Sequence, residues 1–129
     1  MKAGNLGLWT TGGILAYFAW IFVDMASPPS AGDSSPIAEV RSSELPVLVE
    51  FYADWCGPCK FIAPEVEKLA TELTGKAEVI RINAETDRAA AAAHRVRAYP
   101  TFIAFRHGKE TSRQTGAIPR SQMKAMLGL

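Results

Sequence analysis

The sequence predicts an α/β domain whose mixed central sheet is flanked by helices, preceded by one transmembrane helix. Strand-like runs at residues 46–53 and 78–83 are each followed by a helical pattern, and two further runs at 101–106 and 110–115 flank a turn. This order of elements puts helices on both faces of one sheet. Ahead of them, residues 6–23 are apolar over the length of one slightly short membrane helix.

Length, charge and cysteine content exclude several classes of protein. The 129 residues suffice for one domain, and the formal net charge is +1 with both signs mixed along the chain. Nucleic-acid binding needs a basic face, so we exclude it. Two cysteines separated by two residues do not make a disulfide-stapled scaffold, which needs several pairs spread along the chain.

The N-terminal segment has the features of a membrane anchor. No charged residue lies between Lys2 and Asp24. Trp9 near one end and Tyr17 and Trp20 towards the other suit the two membrane interfaces. The alternative is a cleaved signal peptide with later release of the domain. Its plausible cuts follow residues 26 and 31, and small residues are poorly placed before both, so we favour the uncleaved anchor.

Charge sets the expected orientation of this anchor. Lys2 and the α-amino group precede the span, which places the N-terminus in the cytoplasm and the domain across the inner membrane, in the periplasm of a bacterium. A Pro/Ser-rich tether follows. We therefore divide the chain into an anchor at 1–26, a linker at 27–36 and a folded domain at 37–129.

The first elements of the domain are a short helix and a buried strand. Residues 36–45 show a helical pattern with Ile37 and Val40 on one side. Residues 46–53 form the predicted central strand. Both of its alternating sets are mostly apolar, as a strand covered on both faces requires: Val47, Val49 and Phe51 on one face, and Leu48, Glu50 and Tyr52 on the other.

A longer helix is predicted at residues 58–73. Pro64 should bend it, because proline removes one backbone hydrogen bond, and Gly75 should end it. Apolar residues at steps of three and four predict its inward face: Phe61, Ile62, Val66, Leu69, Ala70 and Leu73.

The remaining pattern predicts two helices and a hairpin. Thr86 is the predicted cap of a helix that runs from Asp87 to about Val96. The hairpin turns at His107-Gly108-Lys109. A last helix at 119–127 has three inward residues: Met123, Met126 and Leu127.

Both cysteines lie in Cys56-Gly57-Pro58-Cys59, where the central strand gives way to a helix. If Cys56 opens that helix, unpaired N–H groups and the helix dipole favour its thiolate. Cys59 lies about one turn further on, so its sulfur can reach Cys56 and resolve a mixed disulfide. Gly57 allows close backbone approach, and Pro58 is tolerated in the first turn. The motif predicts Cys56 as nucleophile and Cys59 as resolving thiol.

Two other interpretations of the cysteine pair remain open. The pair could be inert and buried, or it could be half of a zinc or copper site completed by His94, His107 or another chain. The Gly-Pro between the cysteines and the preceding Trp55 favour redox chemistry. The two histidines are better explained as a helix-end residue and a turn residue.

The chain resembles the thioredoxin family from residue 46 to residue 129. Residues 48–60, which read LVEFYADWCGPCK, are similar to the family's active-site strand and motif, and Pro64, Tyr99-Pro100-Thr101 and Gly116 match at the right spacings. The resemblance implies a thioredoxin-like fold. Too little chain precedes residue 46 for the family's first strand and helix together, so we expect a sheet shortened at its N-terminal edge.

The resemblance also implies roles for Glu50 and Arg81. Similar proteins carry an Asp at the position of Glu50, which exchanges a proton with the resolving cysteine. A buried, unpaired carboxylate is costly, so we expect Glu50 to be partly protonated. Arg81 falls where the family usually has Lys, and its permanent charge would favour ionised Glu50 more strongly. The alternative is that Glu50 points to the surface at a sheet edge.

The resemblance further implies a substrate-binding surface beside the cysteines. Pro100 is expected to follow a cis peptide bond, and the residue before it, Tyr99, to offer its backbone to the bound peptide. Tyr99 replaces a more usual aliphatic residue. The surface that meets an extended peptide would consist of Trp55, Gly57, Pro58, Tyr99, Pro100 and Gly116.

Together these features predict a membrane-tethered thiol-disulfide oxidoreductase, most simply a protein-disulfide reductase. Its expected partners are disulfide-bearing proteins and a transmembrane electron donor, with a monomeric chain, no metal, and no cofactor beyond the Cys56–Cys59 redox pair. The alternative is a thiol-independent holdase or assembly module that uses the same peptide-binding surface.

Overall fold

The computed structural model describes residues 36–129, so the predicted span at 6–23 and nearly all of the linker lie outside the described residues. No helix within 36–129 has the length and apolar character needed to cross a membrane. The elements of this part are, in chain order, α1 (Pro36–Ser42), β1 (Val47–Tyr52), α2 (Gly57–Glu72), β2 (Glu78–Asn83), α3 (Arg88–Ala93), β3 (Thr101–Arg106), β4 (Lys109–Thr115) and α4 (Arg120–Met126).

The four strands form one mixed sheet in the order β2-β1-β3-β4. β1 pairs with β2 in parallel, and β3 is antiparallel to both β1 and β4. The predicted mixed α/β sheet is confirmed. Within residues 36–129 no strand precedes β1, so β2 lies at one edge of the described sheet. The expected shortening of the sheet depends on residues before 36, which lie outside the described residues.

The sheet separates two hydrophobic cores, as the alternating pattern of β1 predicted. Leu48 packs on the face covered by α2 and α4. Val47, Val49 and Phe51 pack on the opposite face, against α1 and α3. Both faces of β1 are therefore buried, and a polar residue on either face is removed from water.

Helix α2 buries a narrower stripe than the sequence predicted. Its inward residues follow steps of three and four, whereas Phe61 lies one position away from Ile62, about 100° around the helix axis. The Phe61 side chain is 79% exposed, so its assignment to the inward face was wrong. The buried stripe consists of Cys59, Ile62, Val66, Leu69 and, just after the helix, Leu73.

Helix α3 is shorter than predicted and has a different cap. The Asp87 carboxylate accepts a hydrogen bond from the backbone N–H of Ala90, whereas the Thr86 hydroxyl donates to the backbone oxygen of Asn83. Asp87 is therefore the N-cap, and Thr86 as cap was wrong. The helix ends before His94 because Arg95 adopts a left-handed conformation, with φ of 55°.

The hairpin and the last helix lie close to their predicted positions. His107 and Gly108 both have positive φ, 51° and 74°, which suits a two-residue turn between twisted strands. β4 consequently begins at Lys109, one residue earlier than predicted. In α4, Met123 is buried against the α2 face of the sheet.

Candidate active site

The two cysteines lie at the N-terminus of α2 and are joined by a disulfide, with their Cα atoms 5.3 Å apart. Cys56 is the N-cap residue, and its Sγ accepts a hydrogen bond of 3.2 Å from the backbone N–H of Cys59. Once the disulfide is reduced, this N–H and the helix dipole would stabilise a Cys56 thiolate. Both residues are almost completely buried, with 3% of Cys56 and 1% of Cys59 exposed.

Glu50 lies on β1 with no part of the residue exposed, so its alternative placement at a surface edge was wrong. β1 and β2 pair Glu50 with Arg81, whose Nε donates to Glu50 Oε2 at 2.6 Å. Among the described residues, no protein group donates to Oε1. Burial raises the pKa of the Glu50 carboxyl and outweighs the opposing effect of Arg81, a shift in the direction that favours the protonated form.

A small cavity of about 200 Å³ connects the Arg81 side of this pair to the resolving cysteine. Its volume exceeds what one water molecule needs, and polar side chains line part of it. The cavity reaches Cys59 and Arg81, whereas Glu50 lies behind Arg81 and is not part of the cavity lining. The lining residues are Tyr52, Ala53, Asp54, Cys59, Lys60, Ala63 and Arg81.

Tyr52 contacts Arg81 directly, although no function was predicted for it from the sequence. The guanidinium carbon of Arg81 lies 4.5 Å from the centre of the Tyr52 ring, within the range of a cation–π interaction. The sequence did contain a signal for this contact. Residues i and i+2 of a strand share a face, so Tyr52 lies on the same face of β1 as Glu50.

Among the predicted peptide-binding residues, Tyr99 packs against the buried cluster that contains both cysteines, and three others adjoin the cysteines in the chain. The Tyr99–Pro100 bond is cis, as expected, and the Gly116 N–H donates to the Pro100 oxygen at 2.8 Å. Tyr99 and Trp55 pack edge to face, with ring centroids 5.8 Å apart. Trp55 is nevertheless 68% exposed, and Gly57 and Pro58 are exposed in the first turn of α2.

Comparison with known proteins identifies the family. The thioredoxin family model matches residues 33–128. The chain belongs to the thioredoxin family. It is 35% identical to thioredoxin of Synechocystis sp. over 80% of this chain and 96% of that protein. It is 45% identical to thioredoxin 1 of Chlorobaculum tepidum over 66% of this chain and 84% of that protein.

Family membership and the disulfide together define the activity class. A Cys-x-x-Cys pair at a helix N-terminus, in a thioredoxin-family domain, exchanges two electrons with other disulfides. The chain is a thioredoxin-type protein-disulfide reductase, as the sequence predicted. A third relative, thioredoxin of Haemophilus influenzae, is 39% identical over 65% of this chain and 78% of that protein.

Beside this thioredoxin site lies an open groove of about 420 Å³. Trp55 and Tyr99 form its end nearest the cysteines, and α3 forms its opposite wall. It is lined by Trp55, Ala84, Glu85, Arg88, Ala91, Ala92, Val96 and Tyr99.

The two histidines lie away from the cysteines. His94 follows α3 and packs against the rings of Phe51 and Phe105, and its partial burial lowers the pKa of its imidazole. His107 lies in the β3–β4 turn. Residues 36–129 hold no group of three His, Cys, Asp or Glu side chains arranged to bind a metal ion.

Proposed function

We propose that this thioredoxin-family protein reduces protein disulfides by a two-step exchange at Cys56 and Cys59, while tethered to a membrane. The observation that carries the chemical proposal is the disulfide at the N-terminus of α2. Cys59 lines a cavity that also reaches Arg81, and Arg81 is hydrogen-bonded to the buried Glu50. This arrangement provides a nucleophile, a resolving thiol and a proton acceptor.

In the first step, the Cys56 thiolate attacks one sulfur of a substrate disulfide. A bond forms between Cys56 and that sulfur, the substrate disulfide breaks, and the other substrate sulfur leaves as a thiolate that takes a proton from solvent. The exposed Trp55 and the groove beyond it provide the surface on which the peptide docks.

In the second step, the Cys59 thiol gives its proton to Glu50 and attacks Cys56. The Cys56–Cys59 disulfide forms, and the second substrate sulfur leaves as a thiolate. The substrate has gained two electrons and the protein has lost two. A raised pKa suits Glu50 to this role, because a base works best when its pKa lies near the working pH.

The tether proposal rests on residues 6–23 and the linker that follows them. We propose that this segment anchors the chain in the inner membrane with the domain on the periplasmic side, so that a transmembrane donor must supply the electrons that regenerate the dithiol. Release into the periplasm after cleavage is the competing possibility.

The exchange mechanism is tested by trapping its intermediate. The full chain carrying Cys59→Ser should accumulate a mixed disulfide between Cys56 and a disulfide-bearing protein, which dithiothreitol releases. The matched Cys56→Ser variant should form none. A mixed disulfide formed equally well by both variants would contradict the assignment of Cys56 as nucleophile.

The anchor is tested in cells by membrane fractionation and by the mass of the mature protein. A full-length chain that resists alkaline extraction supports the tether, whereas a chain shortened near residue 26 or 31 and found in the soluble fraction contradicts it.

Acid quench and thiol trapping in intact cells report the redox state of the Cys56–Cys59 pair. A mostly reduced pair supports a reductase with a donor, and a mostly oxidised pair contradicts it.

A further inference from the structure

Tyr52 and Glu50 hold the Arg81 guanidinium from two sides. Tyr52 is the last residue of β1, and its ring centre lies 4.5 Å from the Arg81 guanidinium carbon. The Nε of Arg81 donates to Glu50 Oε2 at 2.6 Å. The Arg81 side chain is 28% exposed, so without the ring it would have room to turn towards solvent.

The two carboxylate oxygens of Glu50 are bonded differently. Oε2 accepts the Arg81 hydrogen bond, while Oε1 is buried and no protein group of the described residues donates to it. A proton placed on Oε1 leaves the bond to Arg81 intact, whereas a proton on Oε2 competes with it. Oε1 is therefore the oxygen on which a proton is gained and lost at least cost.

We propose that Tyr52 is a positioning residue for the exchange reaction: its ring holds the Arg81 guanidinium against Oε2 of Glu50 and so keeps Oε1 as the proton-carrying oxygen. The kinetic part of this proposal rests on the proposed function, because it assumes that Glu50 accepts the proton of Cys59. The positioning part concerns only Tyr52, Arg81 and Glu50.

Loss of the ring should weaken the effect of Arg81 on Glu50. Arg81 favours the ionised carboxyl by hydrogen bonding and by its charge. A guanidinium that spends part of its time in solvent favours the carboxylate less, so Glu50 should hold its proton to a higher pH. The other charged groups at this cavity are Asp54 after β1 and Lys60 on α2, while Cys59 is held in the disulfide of the oxidised protein and carries no titrating thiol.

The test is the titration of Glu50 in the oxidised full-length protein, followed by the ¹³C chemical shift of its carboxyl carbon. Tyr52→Leu removes the ring face, and Tyr52→Phe keeps it and removes only the hydroxyl. We expect Tyr52→Leu to raise the midpoint by about half a pH unit, about threefold in proton affinity, and Tyr52→Phe to leave it near the wild-type value. Tyr52→Met replaces Tyr52→Leu if that variant does not fold.

A second pair of variants tests whether Tyr52 acts by positioning Arg81 or only by excluding water from the Glu50 carboxyl. In an Arg81→Met background the guanidinium is gone, so adding Tyr52→Leu should move the Glu50 midpoint no further. An equal shift in the presence and absence of Arg81 would overturn the proposal, because Tyr52 would then act directly on the carboxyl. An unchanged midpoint in Tyr52→Leu would overturn it as well.

The pH profile of the resolving step tests the kinetic part separately. With a pre-formed Cys56 mixed disulfide, the pH at which resolution reaches half its maximum should move by the same amount as the Glu50 midpoint. A midpoint that moves while this profile stays fixed refutes Glu50 as the acceptor of the Cys59 proton, and with it the proposed second step. The placement of Arg81 by Tyr52 would still be established by the titration.

Discussion

Arg81 and Glu50 lie opposite each other on adjacent parallel strands, and Arg81 Nε donates to Glu50 Oε2 at 2.6 Å. The pair is unequal, because Glu50 is fully buried whereas 28% of the Arg81 side chain is exposed. Burial therefore destabilises the ionised carboxylate by more than the attraction of the partly hydrated guanidinium stabilises it. The result is a carboxyl with a raised pKa in the middle of the sheet.

This imbalance predicts how stability depends on pH. A carboxyl whose pKa is raised by folding binds its proton more tightly in the folded than in the unfolded chain, so the folded state loses stability as the pH rises above the ordinary value of 4.5. Glu50→Gln cannot ionise. We expect this variant to have a larger free energy of unfolding than wild type at pH 7, with the difference shrinking towards pH 4.

Urea unfolding of the oxidised protein at several pH values measures this difference. Glu67→Gln, at an exposed position of α2, is the control and should leave the pH dependence close to that of wild type. A Glu50→Gln variant less stable than wild type at pH 7 would show that the Arg81 interaction outweighs the cost of burial.

The backbone at Gly116 should not tolerate a side chain. Gly116 has φ of +99°, and its N–H donates to the Pro100 oxygen. Gly116→Ala introduces backbone strain at positive φ and should lower the free energy of unfolding by about 1–2 kcal/mol. A Cβ at Gly57 meets no atom within 4 Å and the φ of Gly57 is not positive, so Gly57→Ala is the matched control. Equal stabilities of the two variants in urea would contradict this account.

Asp87 and Thr86 are adjacent at the start of α3, but their substitutions should affect stability differently. The Asp87 carboxylate accepts from the backbone N–H of Ala90, whereas the Thr86 hydroxyl donates to the Asn83 carbonyl and caps no helix N–H. Asp87→Ala should cost about 1 kcal/mol of stability, and Thr86→Ala should change it by less than about 0.5 kcal/mol. Thermal or urea unfolding of the two variants measures the stability that each one loses. A greater loss of stability in Thr86→Ala than in Asp87→Ala would restore Thr86 as the cap.

Phe61 and Ile62 are neighbours on α2 with opposite environments. Only 4% of Ile62 is exposed, compared with 79% of Phe61. Ile62→Ala should lower the free energy of unfolding by about 2–5 kcal/mol, because it leaves a cavity in the core. Phe61→Ala should change stability by less than about 0.5 kcal/mol. A large loss from Phe61→Ala would mean that this ring is covered in the folded protein.

The sequence pattern correctly predicted those elements whose ends are marked by neighbouring residues in the chain. β2 and β3 have the predicted bounds, since each is a run of strand-forming residues with clear ends. The end of α3 was missed because Arg95 adopts a left-handed conformation without the glycine that usually signals one. Phe61 was misplaced because apolar character alone does not reveal which side of the buried stripe a residue occupies.

The sequence by itself determined the redox motif, its position at the start of a helix, and the alternation that buries both faces of β1, because each depends on residues close together in the chain. Tertiary structure decided which distant groups meet. Glu50 and Arg81 are separated by 31 positions and Trp55 and Tyr99 belong to different loops, so their contacts depend on strand order and register. The position of Tyr52 over Arg81 follows from the same pairing, since only the folded sheet brings a cation from β2 against a ring at the end of β1.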